Sequence, residues 1–145
     1  MVTVNEDGVL NKDVVEMSGH GQLVFSPMTN LRWAVCHVLP TGFFTIECVI
    51  KVEGGHRKIS LTNHRTIAVI EADHMRATLP LQLTSSVNWQ LIPIDLVELT
   101  MVVFGLEYVR LDQLRIRNCC AVRKVYCCDQ IYADAELPEY LRALG

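Results

Sequence analysis

Charge is scarce in this sequence. Asp, Glu, Lys and Arg make up 20% of its 145 residues, against 50% hydrophobic residues, and the mean hydropathy is +0.25. A chain this short and this apolar has few charges with which to coat its surface, so some apolar surface is expected to be covered by partners. An excess of basic charge is also missing, since 13 Lys and Arg face 16 Asp and Glu for a net charge of −3. That excludes the broad basic footprint of a nucleic-acid binder while remaining compatible with a local basic patch. No apolar run reaches the ~18 residues that a membrane helix needs. The stretch Met1–Leu10 carries acids rather than a basic apolar block, so neither a membrane partner nor a signal peptide is expected. The expectation is an intracellular protein of one domain. At this length roughly 68–70% of the unfolded surface is hidden on folding, so a core forms without metals or disulfides.

Recognisable catalytic machinery is lacking too. The sequence contains no G-x-S-x-G, no H-E-x-x-H and no phosphate-binding glycine loop. His20, His37, His56, His64 and His74 have no motif partners, and His37 alternates with apolar neighbours in Trp33–Leu39, as a core or edge histidine would. A Cys/His nucleophile pair would need a thiol and an imidazole within hydrogen-bond reach in a cleft, and nothing in the sequence selects one. No enzymatic activity and no cofactor are expected. The six cysteines include two adjacent pairs, Cys119-Cys120 and Cys127-Cys128. Zinc motifs leave about two to four residues between paired ligands. Adjacent residues of a strand point to opposite faces, so the cysteines read as small reduced core residues, not as a metal site.

Hydrophobic periodicity supplies the fold class. Phe44, Ile46, Cys48, Ile50 and Val52 fall in one phase, with Thr45, Glu47 and Lys51 in the other and Val49 as the exception. That is period two, the mark of a half-buried strand. Gly54-Gly55 is a favoured tight turn, and Arg57–Leu61 returns. Further strands are expected at Val14–Met17, Gln22–Phe25, Ala77–Leu83 (with Pro80 at an edge or bulge), Trp89–Ile94, Leu111–Arg117 and Val122–Cys127. Asp95-Leu96-Val97-Glu98 resembles a capping box that opens a short apolar helix, with Gly105 as its stop. Pro138-Glu139-Tyr140-Leu141 fits a second short helix. The reading is a mostly β single domain of β-sandwich or jelly-roll type with one or two short helices. Residues 1–12 form a lead-in and 13–145 the domain.

Two features could meet a ligand or partner. Arg115 and Arg117 are two apart and share a strand face, and Arg123 or Lys124 would lie alongside if the next strand is antiparallel. A basic strip on an acidic chain suits an acidic partner; it equally suits a solvated outer face that blunts an edge strand. Trp89 fits either a sugar-stacking platform or a core anchor at a strand start, the anchor being preferred.

From Trp89 onward the chain resembles the cilia- and flagella-associated protein 20 family. The residues that carry the resemblance are the tryptophan-led strand Trp89–Leu96, then Phe104-Gly105 and Tyr108-Val109. Leu114–Arg117, Cys120 and the basic-basic-Val-Tyr segment Arg123–Tyr126 follow, and Asp129, Ile131-Tyr132 and Asp134–Pro138 close the pattern. Upstream, Phe43–Val52, Thr62-Asn63 and Met75–Leu81 keep the family order, so that residues 31–141 are covered. The phenylalanine- and glycine-rich start of the family has no clear counterpart before Asp13, Cys127-Cys128 replaces a Phe-Ser, and Pro93 replaces a polar strand residue.

The resemblance implies a β-sandwich scaffold of the cytoskeleton in the axoneme of cilia and flagella. It would be a microtubule inner protein, bridging A- and B-tubules at the doublet inner junction and supporting motility. Its partners would be tubulin and other inner-junction or lumenal axonemal proteins. Tubulin surfaces are acidic, which makes Arg115, Arg117, Arg123 and Lys124 the candidate contacts. The alternative is a carbohydrate- or small-ligand-binding β-sandwich module working through Trp89.

Overall fold

The computed structural model describes residues 2–3, 15–17, 21–83 and 88–137. Two long strands dominate it. β4 runs through Trp33–Val52 and β9 through Arg110–Cys128, 20 and 19 residues long, and they pair antiparallel along nearly their whole length. Around this ribbon lie β1 (Val2–Thr3), β2 (Val15–Met17), β3 (Gln22–Phe25), β5 (Gly55–Thr62), β6 (Val69–Ile70), β7 (Arg76–Pro80) and β8 (Gln90–Asp95). One helix, α1 (Leu96–Phe104), is found among the described residues, with a 3-10 turn at Asp134–Glu136. The protein is mostly β, as its periodicity predicts.

The strands form one open sheet in the order β1-β9-β4-β5-β7-β6, with β2 and β3 also along β9 and β8 along β4. Alternation explains how one sheet makes a core. Ala34, Cys36 and Val38 in the first half of β4, and Phe44, Ile46 and Ile50 in the second, all share one phase, and each is completely buried. They belong to one cluster with Leu114, Ile116, Val122 and Val125 of β9. A single face therefore curls around a common interior. Each fully buried Leu, Ile or Phe contributes about 1.5–3 kcal/mol of transfer free energy.

The bends that permit this curling are register shifts between β4 and β9, at His37/Val38, Pro40/Phe44 and Val49/Ile50. Each inserts unpaired chain, which bends and twists a strand. The periodicity suggested that one strand begins at Phe44 and that another ends between Arg117 and Val122. The chain instead continues through both as bulged but unbroken strands. Pro40 has no N–H to give to a ladder, and at Gly42 a Cβ would lie 2.9 Å from Cys119 Cβ. These residues interrupt the pattern without ending the strand.

A second, smaller cluster covers the opposite face at the end of the ribbon. Val35, Tyr126 and Cys128 pack there under Leu137. The acidic stretch that ends in Glu136-Leu137 is thus a cover for the outer sheet face. The terminal helix suggested at Pro138–Leu141 lies outside the described residues.

Asp95 opens α1 as the capping pattern predicts: its Oδ1 accepts from Glu98 N at 3.1 Å. Gly105 closes the helix at φ 68° and donates its N–H to Met101 O, a left-handed conformation that glycine adopts without Cβ strain. No sequence pattern points to the partner that fixes the cap. Arg32 donates to both Asp95 oxygens, at 2.8 and 2.6 Å. The guanidinium, with lesser help from the Glu98 amide, holds the Asp95 carboxyl below its ordinary range. The sign follows from linkage: a depressed folded-state pKa contributes stability that is present above the unfolded value of about 3.9 and is lost as pH falls through the folded value. Asp95→Asn keeps a capping oxygen but removes the charge, so its destabilisation is expected to shrink below about pH 4. Asp95→Ala is expected to cost about 0.5–2 kcal/mol at neutral pH, the range for losing a cap. Urea titrations of the three proteins across pH measure both effects.

Candidate functional site

The outer face of the sheet is where polar and charged side chains gather. Register places Arg115 opposite Glu47 and Arg117 opposite Thr45 across β9 and β4. Glu47 in turn faces Ser60, Thr45 faces Thr62, and Lys58, Ser60 and Thr62 face Arg76, Thr78 and Pro80 across β5 and β7. The result is four strands wide, with Lys58, Arg76, Arg115 and Arg117 on a face whose central acid is Glu47.

Glu47 organises this face. Its side chain is 3% exposed and lies 2.9 Å from Lys58 Nζ and 2.5 Å from Arg117 Nη2. Arg115 donates to Gln113 Oε1 at 3.1 Å. Arg76 pairs with Asp73 at 3.3 Å. A buried carboxylate needs compensating charge, and two half-exposed cations supply it while presenting their outer N–H groups to solvent.

The four sequence-selected basic residues are therefore not one strip across two strands. All four lie on β9, and Arg115 and Lys124, nine positions apart, are roughly 30 Å apart along it at 3.3 Å per residue. Arg115 and Arg117 share the outer face as expected. Arg123 occupies the register shift opposite His37 and Val38. Lys124 is 5% exposed and engaged within the fold, so it is no surface contact.

Trp89 is neither an open platform nor part of the core clusters. The Arg123 guanidinium covers its ring at 4.3 Å from the centroid, and His37 meets it edge-on at 5.2 Å. A sugar ring would have to displace Arg123. His37 is buried, consistent with its apolar neighbours. His56, which showed no motif partner, lies 2.7 Å from Asp112 Oδ2. Arg110 binds the same carboxylate, and the two partners, Arg110 foremost, lower its pKa.

The cysteines divide by strand alternation. Cys120 and Cys127 enter the main core and Cys128 the second cluster, while Cys119 is half-buried. Burial pushes the Cys48, Cys120 and Cys127 thiols up to about 12, which keeps them protonated and poorly nucleophilic at neutral pH.

Sequence pattern missed the cleft beside this face. The bulge between Pro40 and Phe44 turns Phe43 outward, 60% exposed, against the edge of His64 at 4.3 Å. Asn63 and Thr62 pin it there. Asn63 Oδ1 accepts from Phe44 N at 2.9 Å, its Nδ2 donates to Gly42 O at 3.1 Å, and Thr62 Oγ1 donates to Phe44 O at 2.9 Å. Below the Phe43–His64 lip opens a cavity of about 410 Å³ lined by Thr45, Ser60, Thr78, Arg65 and Arg117. Thr62-Asn63, singled out only by resemblance, is thus the device that builds one wall. Apolar surface is also exposed, at Val97, Met101 and Val102 on α1 and at Ile67, Ile70 and Met75 around β6 and β7.

Fold and site together define a mostly β single domain with a basic, hydroxyl-rich outer face. The chain belongs to the CFA20-domain family, whose model matches residues 38–144. It is 25% identical over 97 residues to the Cilia- and flagella-associated protein 20 of Paramecium tetraurelia, and 24% identical over 97 residues to that of Chlamydomonas reinhardtii. Each match covers 66% of this chain and 49% of the relative, so the chain spans about half the length of the curated relatives it matches.

Proposed function

We propose that this chain is a non-catalytic structural component of the axoneme. In this reading it sits on the doublet microtubule at the inner junction, bridging A- and B-tubules and meeting acidic tubulin surface with its basic outer face. The observation that carries the proposal is family membership, with relatives named for cilia and flagella. The charge distribution supports it: the whole chain has a net charge of −3, yet Lys58, Arg65, Arg115 and Arg117 gather where Glu47 is already paired. The protonated core thiols support a role without covalent chemistry. The alternative ligand platform loses support because Arg123 covers Trp89.

The test is localisation in a ciliated or flagellated cell. A tagged full chain is expected along the axoneme and to remain after detergent extraction. Arg115→Gln should lower the retained fraction severalfold, most visibly as salt is raised, because exposed charge contacts are screened. A tagged protein that stays diffuse in the cell body, or washes out entirely with detergent, overturns the proposal.

A further inference from the structure

The cleft under Phe43 and His64 has the makings of a binding site. Thr45, Ser60 and Thr78 line it, all three half-buried, and their hydroxyls hydrogen-bond to no described residue. Adjacent-strand registers bring them together, Ser60 beside Thr78 and Thr45 beside Thr62. Each hydroxyl can rotate to donate one hydrogen bond. Arg65 stands at the mouth, exposed and in no ion pair with any described residue. Arg117 also lines it, and its contact with Glu47 uses one nitrogen of a guanidinium that carries five N–H donors. Among the described residues the lining is thus rich in donors, carries two cations, and contains no acid.

We propose that this cleft receives a glutamate side chain from an acidic peptide segment of a partner protein. A carboxylate accepts about four hydrogen bonds, which matches the hydroxyls and guanidinium groups converging here. Guanidinium-to-carboxylate bonds are among the stronger ones available to a surface site. The ring of Phe43 explains why the guest is a side chain and not a bare anion. It is 60% exposed at the lip and offers apolar surface to the methylene stem behind the carboxylate. An inorganic oxyanion would leave that ring in water. The inference rests on the reading of the chain as a structural partner-binding protein and names the chemistry of one contact.

The experiment uses the full chain and a synthetic Glu-rich peptide labelled for fluorescence anisotropy. A Gln-rich peptide of the same length and inorganic phosphate serve as competitors. The Glu-rich peptide is expected to bind and the Gln-rich one to compete at least tenfold more weakly. Arg65→Gln and Thr78→Val should each weaken binding, by roughly tenfold for the charged group and less for the hydroxyl. Phe43→Ala should weaken the peptide without changing competition by phosphate. Arg123→Gln, which lies over Trp89, should change nothing. Thr78→Val preserves shape, so a melting curve like that of the parent protein separates lost binding from lost fold. Equal binding of the Gln-rich peptide, phosphate competing as well as the peptide, or unchanged affinity in Arg65→Gln with Thr78→Val removes the proposal. If those variants fail to alter peptide binding while the tagged chain still decorates axonemes, the cleft assignment falls and the doublet reading stands. Absence of the parent chain from axonemes removes the doublet reading whatever the peptide does.

Discussion

Replacing Arg117 with glutamate is expected to lower unfolding free energy by about 1–3 kcal/mol, the scale of leaving a buried polar group without its partner. An ordinary surface substitution stays within about 0.5 kcal/mol. The difference comes from Glu47. Its carboxylate is 3% exposed and 2.5 Å from Arg117, with Lys58 at 2.9 Å as its other cation. The new glutamate would place a second carboxylate against a buried first one, leaving Lys58 to balance both. Glu47→Gln in the same chain should recover part of the loss, because a neutral amide tolerates the new acid. Urea denaturation of the two single variants, the double variant and the parent gives the coupling. Equal cost of Arg117→Glu in both backgrounds would sink the claim that the Glu47 pair holds this residue. The result also governs how interface experiments are read. Loss of axonemal retention in Arg117→Glu would mix fold with contact, whereas Arg65 forms no ion pair with any described residue and is the better reporter of contact.

Glu47 shows where sequence reasoning stops. Its phase along Phe44–Val52 places it outward, and the structure keeps it there. Burial of an outward-facing carboxylate follows from the cations around it: Lys58 lies on the hairpin partner that the Gly54-Gly55 turn announces, but Arg117 lies on a strand whose pairing the sequence does not specify. Alternation is local: it says which side of a strand a residue occupies and nothing about which strand lies beside it. Arg115 and Arg117 were therefore legible as one face. Arg123 and Lys124 were not, because the expected break between Arg117 and Val122 is a bulge within one strand. A second bulge, at Arg123, flips the phase, so that Val122 before it and Val125 and Cys127 after it all reach the core, and the signature of a bulge in sequence resembles that of a turn.

Helix signals were read more fully because their partners are close in sequence. Asp95 caps an amide three residues away and Gly105 sits at the stop its type suggests. The cleft lies at the other extreme. Its residues come from β4, β5, β7 and β9 and from the turn after β5, and no pair of them forms a motif. Trp89 fell between these cases: a tryptophan at a strand start is apolar enough for a core, but Arg123 and His37 provide it a half-buried seat outside the clusters.

The two phenylalanines at the bulge should respond to the same substitution in opposite ways. Phe44 is completely buried in the main core, and Phe44→Ala is expected to cost about 3–5 kcal/mol, from lost transfer free energy and the cavity left behind. That is a large fraction of the about 5–15 kcal/mol that holds a typical domain, so the variant should melt far below the parent or fail to fold. Phe43, one residue earlier, is 60% exposed, and Phe43→Ala should stay within about 0.5 kcal/mol of the parent, as surface changes do. Denaturant unfolding checks both, with an unchanged slope showing that stability and not compactness has moved. A small cost at Phe44 would mean the core collapses into the space, and a large cost at Phe43 would mean that the lip holds the bulge rather than being held by it. The expected order follows from who pins whom. Thr62 and Asn63 fix the backbone of Gly42 and Phe44 through three hydrogen bonds, and Phe44 anchors it from within. Phe43 then points outward because its neighbour points inward, and the outer ring is left free to meet a partner.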